Sequence, residues 1–297
     1  MDEHEKLAER FEEHRSRMRA VAYRMLGSLS EADDAVQDAW LHISRADTSA
    51  VMNLGAWLTT VVARICLDML RARKSRREEP EDTHVPDPIV SRADAIDPEH
   101  EVLLAEAVGL ALLVVLDTLA PAERLAFVLH DTFGVPFDEI AAIVGRTPAA
   151  VRQLASRARR RVQGATPVPD ADHTRQREVV DAFFAAARGG DFDALVAVLD
   201  PEVVLRSDGG AARPGATAVV RGALAVARRA ITFAQPAASV LPLRVNGAAG
   251  VIVVADEQPF SIMGFTVTNG KIVAINVLAD PTRLGRFDLE RWSRIRE

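Results

Sequence analysis

Thiols, phenols and long apolar runs are scarce in this sequence of 297 residues. Cys66 is the single cysteine, so the chain forms no internal disulfide and offers a metal ion no second thiol. Tyr23 is the single tyrosine, and no uninterrupted apolar run approaches the ~18 residues that a membrane-spanning helix needs. Since the chain also starts with polar and acidic residues, we expect a soluble cytoplasmic protein without metal, cofactor or membrane.

Negative charge is missing from one part of the chain. The net charge of −6 at first argues against a nucleic-acid binder, but no Asp or Glu occurs between residues 140 and 169. Residues 79–120 instead carry ten acidic residues and one basic residue. Because local charge decides which partner a surface meets, residues 140–169 are expected to contact DNA. The acidity of the whole chain predicts weak DNA binding by the protein alone.

The order of patterns along the chain predicts several domains. Residues 1–78 and 101–165 show helical periodicity, which indicates two all-α domains. Between them, residues 79–100 contain four prolines and many acids, and they are predicted to form an extended linker that packs no core. Strand-like runs alternate with helices in residues 174–297, which indicates an α+β domain.

The first domain is predicted to contain a helix over residues 31–44 and a long helix over residues 54–77. Ser30 and Asp33 have the spacing of a capping box at the start of the first of these helices. The long helix ends in five cations and also carries an aromatic side chain. It therefore predicts a strip for DNA that is being opened, although a basic helix end also complements its own dipole. The predicted contacts are Trp57, Arg64, Arg71, Arg73 and Lys74.

Residues 136–162 have the dimensions of a helix-turn-helix, with the turn at residues 145–147. The second helix of this motif presents its first residues to base edges, while surrounding arginines neutralise phosphates. Arg152 is suited to guanine and Gln153 to adenine. A solvated basic helix is the alternative interpretation. The predicted DNA contacts here are Arg146, Arg152, Gln153, Arg157, Arg159 and Arg160.

The third domain is predicted to contain five strands, over residues 203–207, 238–245, 248–255, 260–268 and 272–278. Two helices, over about 174–188 and 191–199, precede them, and a helix over residues 223–233 interrupts them. Asn269 and Gly270 lie between two apolar runs, which is a specific signal for a hairpin.

Several motifs carry a resemblance to a known family. They lie at residues 30–40, 56–58, 63–64 and 67–68, and again at 119–124, 137–141 and 148–152. With these motifs, residues 7–162 resemble an extracytoplasmic-function (ECF) sigma factor with its region 2 and region 4. The resemblance implies capture of flipped −10 bases by region 2, reading of the −35 element by region 4, and docking of region 4 on the polymerase flap. It also implies that a helix face docks on the clamp of core RNA polymerase: Asp34, Gln37, Asp38 and Trp40.

Three further motifs resemble a sigma subgroup with an additional C-terminal domain. Residues 84–88 are similar to a Trp-Leu-Pro-Glu-Pro motif, residues 208–213 to Asp-Gly-Gly-Gly-Arg, and residues 280–284 to Asn-Pro-Asp-Lys-Leu. The C-terminal domain resembles a SnoaL-like (NTF2-like) cone around a pocket. The resemblance implies that this domain contacts the sigma domains and regulates them in place of a separate anti-sigma protein. The residues implied in regulation are Pro86, Asp87, Pro88, Asp208, Gly209, Gly210, Arg213, Asp280, Pro281 and Leu284.

The acidic linker and the pocket leave alternatives open. A linker rich in acids could follow the path of RNA through the polymerase, or it could simply be solvated. The pocket could take a small ligand. Catalysis needs an acid or base, and the third domain has its only histidine, His173, before its first helix and no tyrosine in its strands. Asp208, Asp256 and Glu257 remain candidates, but the chain is predicted not to be an enzyme.

Two other functions are compatible with a DNA-binding domain of this kind. One is a SnoaL-like enzyme or ligand sensor fused to a DNA-binding domain that acts without polymerase. The other is a classical repressor or activator. Co-purification with core polymerase would distinguish both from a sigma factor.

Overall fold

The computed structural model describes residues 3–45, 51, 53–75, 83–92, 109–165, 169–234 and 238–287. The chain divides into two compact units. One contains residues 1–79 and 112–166, and the other contains residues 80–111 and 167–297. Residues 83–92, within the segment predicted as a linker, therefore belong to the C-terminal unit.

Three helices form the first part of the helical unit: α1 (Glu3–Leu26), α2 (Leu29–Ile43) and α3 (Leu54–Ser75). Gly27 adopts φ +72° and lets the chain turn from α1 into α2. The predicted capping box is wrong, because α2 begins at Leu29, one residue before Ser30. Asp33 instead accepts a hydrogen bond from Arg19 at 2.6 Å, so its charge stabilises the packing of α2 against α1.

The second part of the helical unit contains α4 (Leu110–Asp117), α5 (Pro121–Phe127), a π-helical turn (Val128–Thr132), α6 (Phe137–Val144) and α7 (Pro148–Ala165). Residues 101–108, predicted as helix, lie outside the described residues. Gly145 ends α6 with φ +72°, and Pro148 begins α7. The predicted helix-turn-helix is thus confirmed.

Buried polar groups join the two parts of this unit. Arg124 on α5 is 3% exposed, forms an ion pair with Asp117, and donates from Nε to the carbonyl of Arg24 on α1 at 2.9 Å. Cys66 on α3 is fully buried, and burial raises the pKa of its thiol to about 12. It is a packing residue of the helical core.

The C-terminal unit is a mixed sheet covered by helices. Its helices are α8 (His173–Gly189), α9 (Phe192–Val198), α10 (Ala223–Phe233) and α11 (Pro281–Leu284). Its strands are β1 (Val90–Arg92), β2 (Leu199–Asp208), β3 (Ala218–Arg221), β4 (Ser239–Val245), β5 (Ala248–Ala255), β6 (Gln258–Thr268) and β7 (Lys271–Leu278). Their spatial order is β1-β4-β5-β6-β7-β2-β3, with β2 and β7 parallel and the other pairs antiparallel.

One core holds the sheet and its helices together. Phe183 of α8, Leu195 of α9 and Val226 of α10 are buried together with Val251 and Phe265 of the sheet. The predicted α+β architecture is confirmed, and the predicted hairpin is present. Asn269 and Gly270 have φ +53° and +71°, as a type I′ turn requires.

The prediction that the acidic linker packs no core is wrong for residues 83–92. Val85 is fully buried, Ile89 is 2% exposed, and β1 pairs with β4. Asn246 fixes this edge, since its N–H donates to the carbonyl of Ile89 at 2.8 Å and its Oδ1 accepts from the Ile89 N–H at 3.0 Å. The acidic composition of residues 79–100 predicted a solvated linker because their few apolar residues are too short a pattern to indicate a strand. The partner strand, β4, lies about 150 residues later in the chain.

Candidate nucleic-acid interface and linker contacts

The second helix of the helix-turn-helix, α7, has one buried and one basic face. Val151, Leu154 and Ala158 lie in the core. The predicted DNA contacts Arg146, Arg152, Gln153, Arg157 and Arg160 are exposed, and Arg159 is half-buried. The amphipathic pattern therefore presents the cations to solvent, where a phosphate backbone could reach them.

The arginines of α7 differ in whether their charge is already paired. Arg159 forms an ion pair with Asp131 at 2.6 Å, and Arg161 forms one with Glu123 at 3.1 Å. Within the described residues, Arg146 and Arg157 form no ion pair. Arg146 and Arg157 therefore offer more unneutralised charge to a polyanion than Arg159 does.

Arg152 is held in place by an aromatic stack. Its guanidinium lies 5.6 Å from the ring centroid of Phe137 at the start of α6, and Phe137 stacks on His130 at 3.7 Å. The Nδ1 atom of His130 is 3.0 Å from the carbonyl of Val135, which fixes the ring. A guanidinium oriented in this way loses less conformational freedom when it pairs with a base. Sequence reasoning missed Phe137, although its position before an arginine-rich helix was a usable signal.

The predicted DNA strip lies along α3. Trp57, Arg64 and Arg71 follow one another at intervals of seven residues, so they share a helix face. Trp57 is half-buried, Arg64 and Lys74 are exposed, and Arg71 pairs with Asp68 at 3.3 Å.

Arg73 differs from the rest of this strip. It pairs with Glu31 and donates to the carbonyl of Leu26 at 3.3 Å, so it joins α3 to the preceding helices. Its position favours a structural role over a DNA contact.

The acidic face of α2 is exposed as predicted. Asp34, Gln37 and Asp38 lie on it, and next to them Leu41 exposes 44% of its surface. Trp40 is half-buried and packs against Phe11, with ring centroids 5.0 Å apart. Three polar side chains around an exposed leucine form a surface suited to a basic protein partner with an apolar centre.

The three motifs assigned to regulation meet at one place, which we call the linker clasp: Val85, Asp87, Asp208 and Arg283. Arg283 of α11 donates to Asp87 at 2.8 and 2.5 Å, to Asp208 at 2.8 Å and to the carbonyl of Val85 at 2.6 Å. The N–H of Val85 donates back to Asp208 at 3.2 Å. The side chains of Arg283 and Asp87 are 15% and 9% exposed, so the pair is largely shielded from solvent.

The clasp keeps Asp208 ionised. Burial by itself raises the pKa of this carboxyl, but several groups act in the other direction. Hydrogen bonds from His84 and from the Val85 N–H, the charge of Arg283 and the Gly210 N–H together lower the pKa to about 2. Ion pairs as well as the pairing of β1 with β4 thereby hold residues 83–92 in the C-terminal unit.

The other predicted regulatory residues support the clasp. A Cβ on Gly210 would lie 2.4 Å from Oδ2 of Asp280, and a Cβ on Gly209 would lie 2.2 Å from the carbonyl of Arg213. Arg213 donates to the carbonyl oxygens of Phe260 and Ala279 at 3.0 and 3.2 Å. Asp280 caps α11, Pro281 is its first residue, and Pro86, Pro88 and Leu284 are buried.

Comparison with known proteins identifies the family. A family model described as Sigma-70 region 2 matches residues 10–76, and one described as Sigma-70, region 4 matches residues 109–162. The chain is 40% identical over 290 residues to the ECF RNA polymerase sigma factor SigJ of Mycobacterium tuberculosis, covering 92% of this chain and 91% of the relative. The chain belongs to the ECF RNA polymerase sigma factors. A sigma factor gives RNA polymerase its promoter recognition in transcription initiation, and this is the function of the chain.

Two further comparisons cover almost the whole of this sigma factor. It is 35% identical over 288 residues to the probable ECF RNA polymerase sigma factor SigI of M. tuberculosis, covering 96% of this chain and 97% of the relative. The crystal structure of M. tuberculosis SigJ matches with a TM-score of 0.75 and 36% identity, covering 94% of this chain and 98% of that one. The match includes the C-terminal unit, so the fused domain fits the same family.

Arg283 is the main residue of this sigma factor that sequence reasoning missed. It stands within the motif at residues 280–284, but Asp280, Pro281 and Leu284 were predicted instead. The signal that could have found it is the single cation in that motif, opposite an acid in each of the other two motifs.

No helix in the described part of the chain is long and apolar enough to cross a membrane.

A cavity of about 130 Å³ lies in the C-terminal unit, between the sheet and helices α8 and α10. Its walls are mainly phenylalanine, aliphatic and alanine side chains, with two serines and two arginines. No Asp, Glu, His or Tyr is among the described residues that line it, and the candidate acids Asp208, Asp256 and Glu257 lie elsewhere. The walls of the cavity therefore supply no general acid or base of these types.

Proposed function

We propose that this sigma factor acts in the cytoplasm and reads the −35 element through α7 and the −10 element through the face of α3. The observation that carries the proposal is that α7 is the second helix of a helix-turn-helix and presents Arg152 and Arg157 to solvent, next to the exposed Arg146 of the preceding turn. Arg152 and Gln153 stand in its first turns, where base edges are within reach. Trp57 and Arg64 supply an aromatic and a cation for an opened strand.

Promoter binding by holoenzyme tests the assignments on α7. Replacing Arg152 by Ala is expected to cost about 1–3 kcal/mol on the preferred −35 sequence and less on variants of that sequence. Arg157→Ala is expected to weaken binding to all sequences equally and to reduce the salt dependence. An equal loss on all sequences for Arg152→Ala would make it a phosphate contact and overturn base reading by this residue.

The exposed face of α2 is proposed to dock on the clamp of core polymerase. Its carboxylates suit a basic partner, and Leu41 gives the surface an apolar centre. Reversing charge with Asp34→Lys and Asp38→Lys is expected to weaken core binding about tenfold, chiefly through slower association. Glu9→Lys, on an exposed position of α1, is the matched control and should leave affinity unchanged.

The C-terminal domain is proposed to regulate transcription by holding the segment between the two sigma regions. The acidic linker would have to leave the clasp before it could follow the path of RNA, since Asp87 is buried and paired with Arg283. Release of residues 83–92 breaks the ion pairs of Arg283 and the pairing of β1 with β4. The domain thereby takes the place of a separate anti-sigma protein by holding this segment.

A non-enzymatic role for the C-terminal domain is supported by the composition of its cavity. Among its described residues, the lining offers two serine hydroxyls and two guanidiniums but no carboxylate or imidazole that could act as a base. We propose that the cavity binds a small ligand and does not transform it. A direct test is incubation of the full chain with a candidate ligand followed by recovery of that ligand unchanged.

A further inference from the structure

The cavity of the C-terminal unit has two serine hydroxyl groups in its wall. Ser207 of β2 and Ser261 of β6 are 6% and 4% exposed, and both line the cavity. Neither hydroxyl has a hydrogen-bond partner among the described residues. A hydroxyl that lines a cavity can donate and accept hydrogen bonds, so both are available to an occupant. The cavity is thus polar at two defined points and apolar around them.

The sheet register places both serines on the face that lines the cavity. Ser207 is opposite Val277 on β7, Val277 is opposite Met263 on β6, and Ser261 precedes Met263 by two residues. Side chains two residues apart on a strand share a face. Val277 and Met263 also line the cavity, so the two hydroxyls stand in one wall.

The remaining walls define the shape and charge of an occupant. Phe183, Phe184, Phe233 and Phe260 surround the space with aromatic rings. At about 130 Å³ the cavity is close to the ~150 Å³ of an engineered cavity that accommodates benzene. An occupant is therefore expected to contain about one six-membered ring.

Two arginines in the lining favour a negative charge. Arg229 on α10 donates to the carbonyl of Ala216 at 3.1 Å and lies over the ring of Phe233 at 4.5 Å. Its remaining donors, and those of the exposed Arg188 on α8, are not used by any ion pair in the described residues. Because two arginines and no carboxylate are among the described lining residues, the charge of the cavity favours an anionic ligand over a cationic one.

We propose that this cavity is a binding site for a monocyclic aromatic carboxylate that bears an oxygen substituent on its ring. The ring occupies the space between the phenylalanines, the carboxylate pairs with Arg229 and Arg188, and the ring oxygen accepts hydrogen bonds from Ser207 and Ser261. The proposal deepens the proposed ligand-binding role by naming the chemical class of the ligand.

The binding test uses the full-length chain and isothermal titration calorimetry with four probes. They are benzoate, 3-hydroxybenzoate, 4-hydroxybenzoate and the neutral benzamide. Ligands of this size bind weakly, so a Kd of about 0.1–1 mM is expected for the better hydroxybenzoate. Benzoate should bind about fivefold more weakly and benzamide more weakly still, because they lack the ring oxygen and the charge respectively.

Paired variants assign the contacts. In the double variant Ser207→Ala, Ser261→Ala, the advantage of hydroxybenzoate over benzoate should disappear while benzoate binding remains. Arg229→Gln should weaken both acids about tenfold, and Arg228→Gln, on the neighbouring exposed residue of α10, should not. Circular dichroism and thermal melting confirm that each variant is folded.

Three results would overturn the proposal. They are the absence of binding by every acid at millimolar concentration, equal binding of benzamide and benzoate, and acid binding that none of the variants changes. Since no polymerase is present, these results are independent of the sigma-factor function.

A run-off transcription assay tests whether the site affects regulation. Ser207 and Ala279 both lie in the cavity wall. Ser207 is followed by Asp208 of the clasp, and Ala279 is followed by Asp280, which caps α11. Occupancy is therefore expected to change transcription by the full chain, an effect that rests on the proposed regulatory role. Binding without any change in transcription would overturn the coupling of this site to the clasp and leave the binding site standing.

Discussion

At the scale of single residues, Gly210 gives the most direct test of how tightly the clasp is built. Its φ of +59° and the 2.4 Å approach of a Cβ to Asp280 both exclude a side chain. Gly210→Ala is expected to lower the free energy of unfolding by about 2–3 kcal/mol. Gly215→Ala, where a Cβ meets open space, should change it by less than about 0.5 kcal/mol. Urea unfolding followed by circular dichroism compares the two, and equal losses would contradict the close approach.

Cys66 on α3 illustrates how burial controls the reactivity of a thiol. Its burial and a thiol pKa of about 12 leave almost no thiolate at neutral pH. The native protein should therefore react with a thiol reagent at pH 8 only as fast as it unfolds locally. The same reaction in denaturant serves as the control, and rapid labelling of the native chain would show that α3 opens readily.

Asp208 makes the stability of the C-terminal unit depend on pH. Its pKa is about 2 in the folded chain, against 3.8 for the free side chain. The folded state therefore binds fewer protons, and the stabilisation is present above about pH 4 and lost as the pH falls towards 2. After allowance for partial exposure, the loss is expected to be about 1–2 kcal/mol. Melting curves from pH 5 to pH 2.5 should show this loss of stability in the wild type and in the control Asp256→Asn. The contribution of Asp208 should be absent in Asp208→Asn.

At the scale of secondary-structure elements, local signals were sufficient for α6, α7 and the hairpin at residues 269–270. Proline at a first turn, glycine with positive φ and amphipathic spacing all act within a few residues. The elements that sequence reasoning missed or misassigned depend on distant partners. β1 has three residues and pairs with β4 about 150 residues later, and Asp33 pairs with Arg19 instead of capping its own helix.

The pairing of β1 with β4 can be tested through Asn246. Asn246→Ala removes the hydrogen bond from the Ile89 N–H to its side chain and leaves that buried N–H without a partner. Hydrogen exchange measured by mass spectrometry should become faster across residues 85–92, by about tenfold for a loss of ~1.4 kcal/mol. Glu257→Gln, in an exposed turn on the same sheet, is the control. Unchanged exchange in Asn246→Ala would mean that the ion pairs of Arg283 alone hold the segment.

At the scale of the whole molecule, the distribution of charge separates the two tasks of the chain. Arginines without an ion pair remain on the exposed face of α7, whereas Asp87, in the segment between the sigma regions, is neutralised by Arg283 inside the C-terminal unit. The lack of acids between residues 140 and 169 is sufficient to predict an excess of positive charge on α7, and its contact with DNA stays a prediction. Composition could not predict the neutralisation of Asp87, because the pairing of Asp87 with Arg283 joins positions 196 residues apart.

If the clasp restrains this segment, breaking it should raise transcription from a cognate promoter. Arg283→Gln leaves Asp87 and Asp208 buried without their shared cation, which favours release of residues 83–92. In run-off assays with core polymerase, we expect about fivefold more transcript from Arg283→Gln and from a chain truncated after Leu278, which lacks Arg283 altogether. Arg228→Gln should match the wild type. Because the clasp lies far in sequence from α7, promoter preference should stay the same in all three proteins. A changed preference with unchanged output would mean that the C-terminal unit acts on DNA reading and not through the segment that it holds.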